Sequence, residues 1–270
     1  MFAGDDDRAL NLNSVPERPP VLVHLHPALI PAGALEGGIA VVVDVLRAST
    51  VIVEALASGC NEVVPCLEIE EARAEASRRA EDGVLLGGER QGLPIDGFDL
   101  GNSPGTYTRD RCRGRTLVFT TTNGTRAVHA SLAADRVLVA GFVNLTATAE
   151  TLAIAARPVH IVCAGTNGLV SWEDSLFAGA LAHQLSMFCG ADDGVTPLFN
   201  LDDDAAQLVA VLWSDFAEQG DRLADVLASG QGGRRVAALG LEADIEAAAD
   251  VDRRDLVAEI RRDPLRIIAD

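Results

Sequence analysis

The chain contains no lysine: all 22 basic residues are arginine. That absence removes several chemistries at once. A Walker phosphate loop, the strand lysine of a protein kinase, and Schiff-base or pyridoxal-phosphate catalysis each need a lysine amine. Positive charge is also outnumbered, 22 groups against 40 acidic ones, giving a formal charge of −18. A surface of that sign repels phosphate backbones, which argues against nucleic-acid partners, and is compatible with divalent cations. The five cysteines, Cys60, Cys66, Cys112, Cys163 and Cys189, include no Cys-x-x-Cys pair. A zinc ribbon or thioredoxin-type site is therefore not indicated, and the scattered thiols read as those of a reduced, cytoplasmic protein. No run approaches ~18 consecutive apolar residues, so no membrane span is predicted. The N-terminal stretch has Asp5, Asp6 and Asp7 and no apolar core of a signal peptide. With Pro16, Pro19 and Pro20, residues 1–20 read as a flexible tail.

What is present suffices for a folded core. Apolar residues make up 48% of the 270, which excludes wholesale disorder. Short apolar runs at Val21–Leu25, Ile39–Val43, Glu62–Pro65, Val84–Leu86, Thr116–Phe119, Arg136–Ala140 and Val159–Cys163 predict strands. Helical stretches at Thr50–Ser58, Glu68–Ala80, Arg126–Ala134, Ala147–Ala156 and Trp172–Gln184 alternate with them. From Asp202 onward the chain reads as helical and acidic, interrupted by Gly230, Gly232 and Gly233. The alternation predicts an α/β fold with three α/β/α layers and right-handed crossovers. Its sheet is mostly parallel or mixed, with a helical C-terminal elaboration that caps the sheet or mediates homo-oligomer formation. Residues 21–270 read as a single α/β domain. His24 and His26 read as two histidines on one strand face.

In an open parallel sheet, ligands bind outside the carboxyl ends of the strands. The loops at those ends are unusually polar here. Asp44 and Arg47 follow one strand, and Glu89 and Arg90 follow Gly87-Gly88. Thr120–Thr125 with Arg126 follows a third, and Gly165-Thr166 precedes Ser171-Trp172-Glu173-Asp174. The long loop adds Asn102-Ser103-Pro104. Free amides at a helix start favour anions, and Arg47, Arg90 and Arg126 offer forked charged donors. Asp44, Glu89 and Asp174 suit a hard cation such as Mg²⁺. Anion donors beside a carboxylate-bound metal describe phosphoryl chemistry. Plainer readings exist: Arg47 pairing with Asp44, Glu173-Asp174 compensating a helix dipole, Asp202–Asp204 as a solvated helix start, and Asn102-Ser103 as an ordinary Asx turn. No Cys-x5-Arg phosphatase signature occurs, and Asp44 lacks the Asp-x-Asp spacing of haloacid-dehalogenase phosphatases.

Taken in order, VDVLRAST (43–50), GGER (87–90), GFDLGNSP (97–104), TTTNGTRA (120–127), CAGTNG (163–168) and WEDSLFAGA (172–180) resemble the 2-phosphosulfolactate phosphatase family. ADIEAAADVD (243–252) is similar to the family's C-terminal segment more loosely. The resemblance implies an α/β/α, Mg²⁺-dependent phosphatase that converts 2-phospho-3-sulfolactate to 3-sulfolactate and phosphate on the route to coenzyme M. In that reading Mg²⁺ sits between Asp44, Glu89 and Asp174. The Thr121-Thr122-Asn123-Gly124-Thr125 loop and Arg47 hold the remaining phosphoryl oxygens, Arg90, Arg126 and Asn102 or Ser103 face the carboxylate and sulfonate, and Gly165 and Thr166 also bind substrate. The nucleophile is either water or Asp44. Two alternatives stand beside it: a phosphatase for phospholactate or phosphoglycerate, and a non-catalytic binder of an anionic metabolite.

Overall fold

A computed structural model describes residues 18–79, 83–190 and 195–270; most of the expected tail, residues 1–17, lies outside them. Strand β2 (Ile39–Val43) is IAVVV and is buried at every position. An unbroken branched-apolar run is what a strand covered on both faces requires. It pairs in parallel with β7 (Arg136–Ala140) and β8 (Val159–Cys163), and β8 carries β1 (Val21–His24) at the edge. A second parallel set joins β3 (Glu62–Pro65), β6 (Thr116–Thr120) and β4 (Val84–Arg90), the last folding back through β5 (Leu93–Pro94). Between the sets lies an antiparallel hairpin, β9 (Ala258–Arg261) and β10 (Arg266–Ala269), with β9 on β7 and β10 on β3. The ten-stranded mixed sheet therefore runs β1-β8-β2-β7-β9-β10-β3-β6-β4-β5.

Alternation of side chains assigns the layers. Ile39, Val41 and Val43 of β2 pack with Leu152 of α5 (Leu145–Ala155) and with Phe177 and Leu181 of α6 (Trp172–Met187). On the same side lies α7 (Asp204–Gln219), whose N-cap Asp203 accepts from Ala206 N at 2.9 Å and from Val23 N of β1 at 3.1 Å. Ala40 and Val42 face the other way. They share a core with α1 (Ala48–Ala57), with Val128 of α4 (Gly124–Ala130), and with Leu117 and Phe119 of β6. One core thus receives side chains from both parallel sets, so the sheet curls about α1. On the outer face of the second set, Val118 packs against Ala72 of α2 (Ile69–Arg78). A short α3 (Arg109–Cys112) precedes β6. Three further helices, α8 (Leu223–Ser229), α9 (Gln231–Ala238) and α10 (Glu242–Ala248), complete the helical segment. Among the described residues no helix is long and apolar enough to cross a membrane.

The sequence reading needs correction at three places. The chain does not stay helical to its end: β9 and β10 enter the middle of the sheet. β4 continues through Gly87-Gly88 to Arg90, so Glu89 and Arg90 stand on a strand rather than in a loop. Helix α4 begins at Gly124, two residues early, and ends at Ala130. Pro19 and Pro20 are also tied to the fold, their carbonyls accepting from Asn200 N at 3.0 Å and Val159 N at 2.9 Å.

Candidate active site

Curling brings the carboxyl ends of the two parallel sets together. A Cβ on Gly124, just after β6, would stand 2.8 Å from Asp44 Oδ2, just after β2. Only glycine permits that approach. Asp44 is held from behind by α1: its Oδ1 accepts from Ala48 N at 3.3 Å, and its own amide donates to Ser49 Oγ at 2.7 Å. Burial raises its pKa to about 7, the charges of Glu89 and Glu173 push the same way, and the Ala48 amide and Arg47 oppose them. Glu89, buried at the end of β4, accepts from Thr122 N at 2.8 Å (Oε1) and Gly92 N at 2.6 Å (Oε2). Both carboxylates line one cleft together with Arg47, Asn102, Thr122, Asn123 and Thr166. Asn102 Oδ1 and Thr122 Oγ1 are buried there without a hydrogen-bond partner. Buried polar atoms are normally satisfied, so two orphans on one cleft mark a place where a ligand supplies the partner.

The other proposed residues fall elsewhere. Asp174, in the first turn of α6, does not line the cleft; Oδ1 accepts from Val45 N at 2.9 Å and Oδ2 from Gly165 N at 3.1 Å. Burial, and then the Asp44 and Glu173 charges, hold its pKa well above the usual carboxylate range. Among the described residues no three His, Cys, Asp or Glu side chains are grouped so as to hold a metal ion. The structure therefore brings Asp44 and Glu89 to one surface and sets Asp174 beneath it. Thr121 and Thr125 are turned inward onto each other: Thr125 N donates to Thr121 Oγ1 at 3.2 Å and Thr125 Oγ1 to Thr121 O at 2.9 Å. Arg90 is spent on the carbonyls of Glu89 and Leu67 and on Thr120 Oγ1, at 2.8, 3.0 and 2.9 Å. Arg126 is exposed on α4 and outside the cleft. Arg47 does not pair with Asp44. Its Nη1 donates to Asp244 Oδ2 of α10 at 2.7 Å and to Ser103 Oγ at 3.3 Å, and its Nη2 to Gly92 O at 2.8 Å. Ser103 Oγ in turn donates to Asp244 Oδ2 at 2.8 Å.

The profile described as 2-phosphosulpholactate phosphatase matches residues 24–263. This chain belongs to that family. A protein of Caldanaerobacter subterraneus subsp. tengcongensis is 35% identical over 230 residues, covering 85% of this chain and 90% of its own. One from Symbiobacterium thermophilum is 41% identical over 215 residues, 80% of this chain and 88% of its own. Both are described as probable 2-phosphosulfolactate phosphatases.

Family membership covers the C-terminal helices as well, and these supply what the sequence reading missed. α9 forms the far wall of the cleft through Gly232, Arg235 and Val236, with Leu239 just beyond it. Arg235 is half-buried, donates to Asn167 Oδ1 at 3.4 Å, and makes no ion pair among the described residues. Glu173 is 1% exposed, and its Oε2 has no hydrogen-bond partner. Burial raises its pKa, and its carboxylate lies against Gly232, where a Cβ would overlap Oε1. The signals for these residues were in the chain: Gly230-Gln231-Gly232-Gly233 ahead of two arginines, and the segment around Asp244 that matches the family only loosely.

Proposed function

We propose that the protein is a phosphoric monoester hydrolase that cleaves 2-phospho-3-sulfolactate to 3-sulfolactate and phosphate. The observation that carries this reading is the cleft itself. Two buried carboxylates, Asp44 and Glu89, face it beside two orphaned polar atoms, Asn102 Oδ1 and Thr122 Oγ1, in a chain that matches the family over residues 24–263. In the net reaction the bond from phosphorus to the C2 oxygen breaks, phosphorus gains the hydroxyl of a water, and the C2 oxygen takes up a proton.

Mg²⁺ fits the wall of the cleft built from strand ends, the core wall, which carries Asp44 and Glu89. Two hard carboxylates share a cleft closely enough that Glu89 raises the Asp44 pKa, and magnesium commonly binds one or two carboxylates, waters and substrate phosphate rather than a full protein cage. When bound, it would neutralise these carboxylates and polarise a phosphoryl oxygen. Asp44 and Glu89 are the proposed ligands. Asp174 is assigned to holding the Val45 and Gly165 amides that shape the loops, the Thr122 hydroxyl to donating to a substrate oxygen, and Asn102 Oδ1, which only accepts, to a proton-bearing group such as a bound water. Five free thiols, four of them buried, support a reducing compartment, the cytoplasm. The product is consistent with a place on the route to coenzyme M.

Phosphate release with and without Mg²⁺ tests the reading, using 2-phosphosulfolactate beside phospholactate, 2- and 3-phosphoglycerate and p-nitrophenyl phosphate. Mg²⁺-dependent turnover that prefers phosphosulfolactate is the expected result. Preference for a sulfonate-free ester would move the substrate, and no release by folded, metal-replete protein would favour a binding protein. Trapping labelled phosphate on the chain separates a phospho-Asp44 intermediate from direct attack by water.

A further inference from the structure

We propose that Arg235 selects the substrate's sulfonate, so that α9 rather than the strand ends distinguishes 2-phosphosulfolactate from esters lacking that group. The inference rests on the phosphatase reading above and adds a residue to it. Two cations line the cleft, Arg47 and Arg235. Arg47 is already neutralised: Asp244, Ser103 and the Gly92 carbonyl engage both of its terminal nitrogens. Arg235 carries an uncompensated charge among the described residues, with only the long bond to Asn167. A half-buried guanidinium held over a cleft is a ready site for an oxyanion, because its fork matches two of the anion's oxygens.

Placement decides which oxyanion. Asp44 and Glu89 occupy the core wall, where the phosphoryl group must go for hydrolysis. The substrate's carboxylate shares C2 with the phosphoester oxygen and stays near that wall. The sulfonate, on C3, lies one carbon further out, toward α9. The helix is set there by close packing without side chains. Added Cβ atoms would overlap Glu173 Oε1 at Gly232 and the Leu227 carbonyl at Gly233, and Arg235 follows Gly232 by three residues, on the same face. Arg235 also stands near the β4–β5 turn, its Nε 3.7 Å from a Cβ placed on Gly92. It therefore bridges the cleft between that turn and the Asn167 loop.

The test compares wild type, Arg235→Gln and Arg235→Lys on 2-phosphosulfolactate and on phospholactate, which lacks the sulfonate. Calorimetric binding of 3-sulfolactate and of lactate is measured in parallel. Losing one charge-assisted pair predicts that Arg235→Gln raises KM for phosphosulfolactate about 10- to 100-fold. The kcat should move less than about threefold, and the phospholactate KM should change far less than the phosphosulfolactate KM. Affinity for 3-sulfolactate should fall by the same factor as KM rises, and Arg235→Lys should recover part of both. Equal losses on both substrates, or unchanged 3-sulfolactate affinity, would overturn the assignment. The two readings separate cleanly. Wild type that binds 3-sulfolactate through Arg235 but releases no phosphate would sink the proposed activity and keep the subsite. Turnover of phosphosulfolactate indifferent to Arg235→Gln would do the reverse.

Discussion

The two walls of the cleft are built by different means. The core wall comes from strand ends. Its carboxylates, Asp44 and Glu89, are each fixed by backbone amides, from Ala48 in one case and from Thr122 and Gly92 in the other. The opposite wall comes from α9, which presents Arg235 and is seated by glycine contacts to Glu173 and the Leu227 carbonyl. Strand ends are rigid because ladder hydrogen bonds hold them on both sides, and rigid elements suit groups that must meet reacting atoms within a fraction of an ångström. A helix seated by close packing suits recognition, where a small shift alters affinity more than chemistry. An ion pair ties the core wall to the helix that follows α9: Arg47, at the start of α1, to Asp244 of α10.

If chemistry belongs to the core wall, its removal should abolish turnover and spare the fold. Asp44→Asn keeps an acceptor for the Ala48 amide and deletes a buried charge. The kcat should fall by about 10³-fold, roughly 4 kcal/mol of barrier, while thermal unfolding stays unchanged or moves up. Retention of more than about a tenth of wild-type kcat in steady-state assays would remove Asp44 from the machinery. The ion pair to α10 should behave oppositely. Asp244→Ala leaves the Arg47 guanidinium buried without its carboxylate, a change that costs about 3–5 kcal/mol. In a chain of this size that corresponds to a drop in Tm of about 10 °C. A calorimetric Tm within about 2 °C of wild type would show that Arg47 finds another partner.

The sequence discloses the core wall and hides the other, for a physical reason. Strands β2, β7 and β8 are legible to the residue because each is a short apolar run covered on both faces. Asp44 and Glu89 stand at the ends of such runs, where an α/β sheet places its ligands. β4 outruns its prediction because Gly87-Gly88 reads as a break; in the fold the Tyr107 hydroxyl, Leu117 and the Thr120 backbone fill the space that side chains would need. β9 and β10 are four residues each and carry charges. Buried Glu259 is tolerated because Arg136 and Arg261 reach it, at 2.8 Å (Oε2) and 2.6 Å (Oε1), partnerships that local pattern cannot reveal. The same holds for Arg47 and Asp244, 197 residues apart. Arg235 could be read as a helix residue, but its lack of an ion-pair partner among the described residues is a property of the fold.

One pH response should come from the core, away from both walls. His24 of β1 stacks on His160 of β8, ring centroids 5.4 Å apart, with Nε2 and Nδ1 at 3.1 Å. Burial lowers both pKa values. His160 falls to about 4, helped by His24, while Asp203 partly offsets the shift on His24. In the unfolded chain both histidines protonate near pH 6.5; in the fold His160 does so only near 4, and His24 below its ordinary value. The stability that this pair contributes is therefore fully present above pH 6.5, declines as pH falls toward 4, and levels off below, while the raised pKa values of Asp44, Glu173 and Asp174 act in the opposite sense, costing stability as pH rises. The loss attached to His160 is about 3 kcal/mol. Urea unfolding of His160→Gln between pH 7 and 4 should show a flatter profile than wild type; parallel profiles would mean that the fold does not lower the His160 pKa.

The smallest effect tests how α9 is seated. Gly232→Ala drives a methyl group into Glu173 Oε1, and Glu173 is too buried to swing into solvent. Overpacking of this kind costs about 1–3 kcal/mol. Alanine returns about 0.8–1 kcal/mol of helix propensity, so the net loss should be about 1 kcal/mol. The functional signature matters more than the stability. A displaced α9 moves Arg235 but not Asp44 or Glu89, so KM for the anionic substrate should rise several-fold at nearly constant kcat. Pairing the change with Glu173→Ala, which opens the space the methyl needs, should return KM most of the way. A fall in kcat at constant KM would mean that the helix reaches the chemistry after all, and that the two walls act as one.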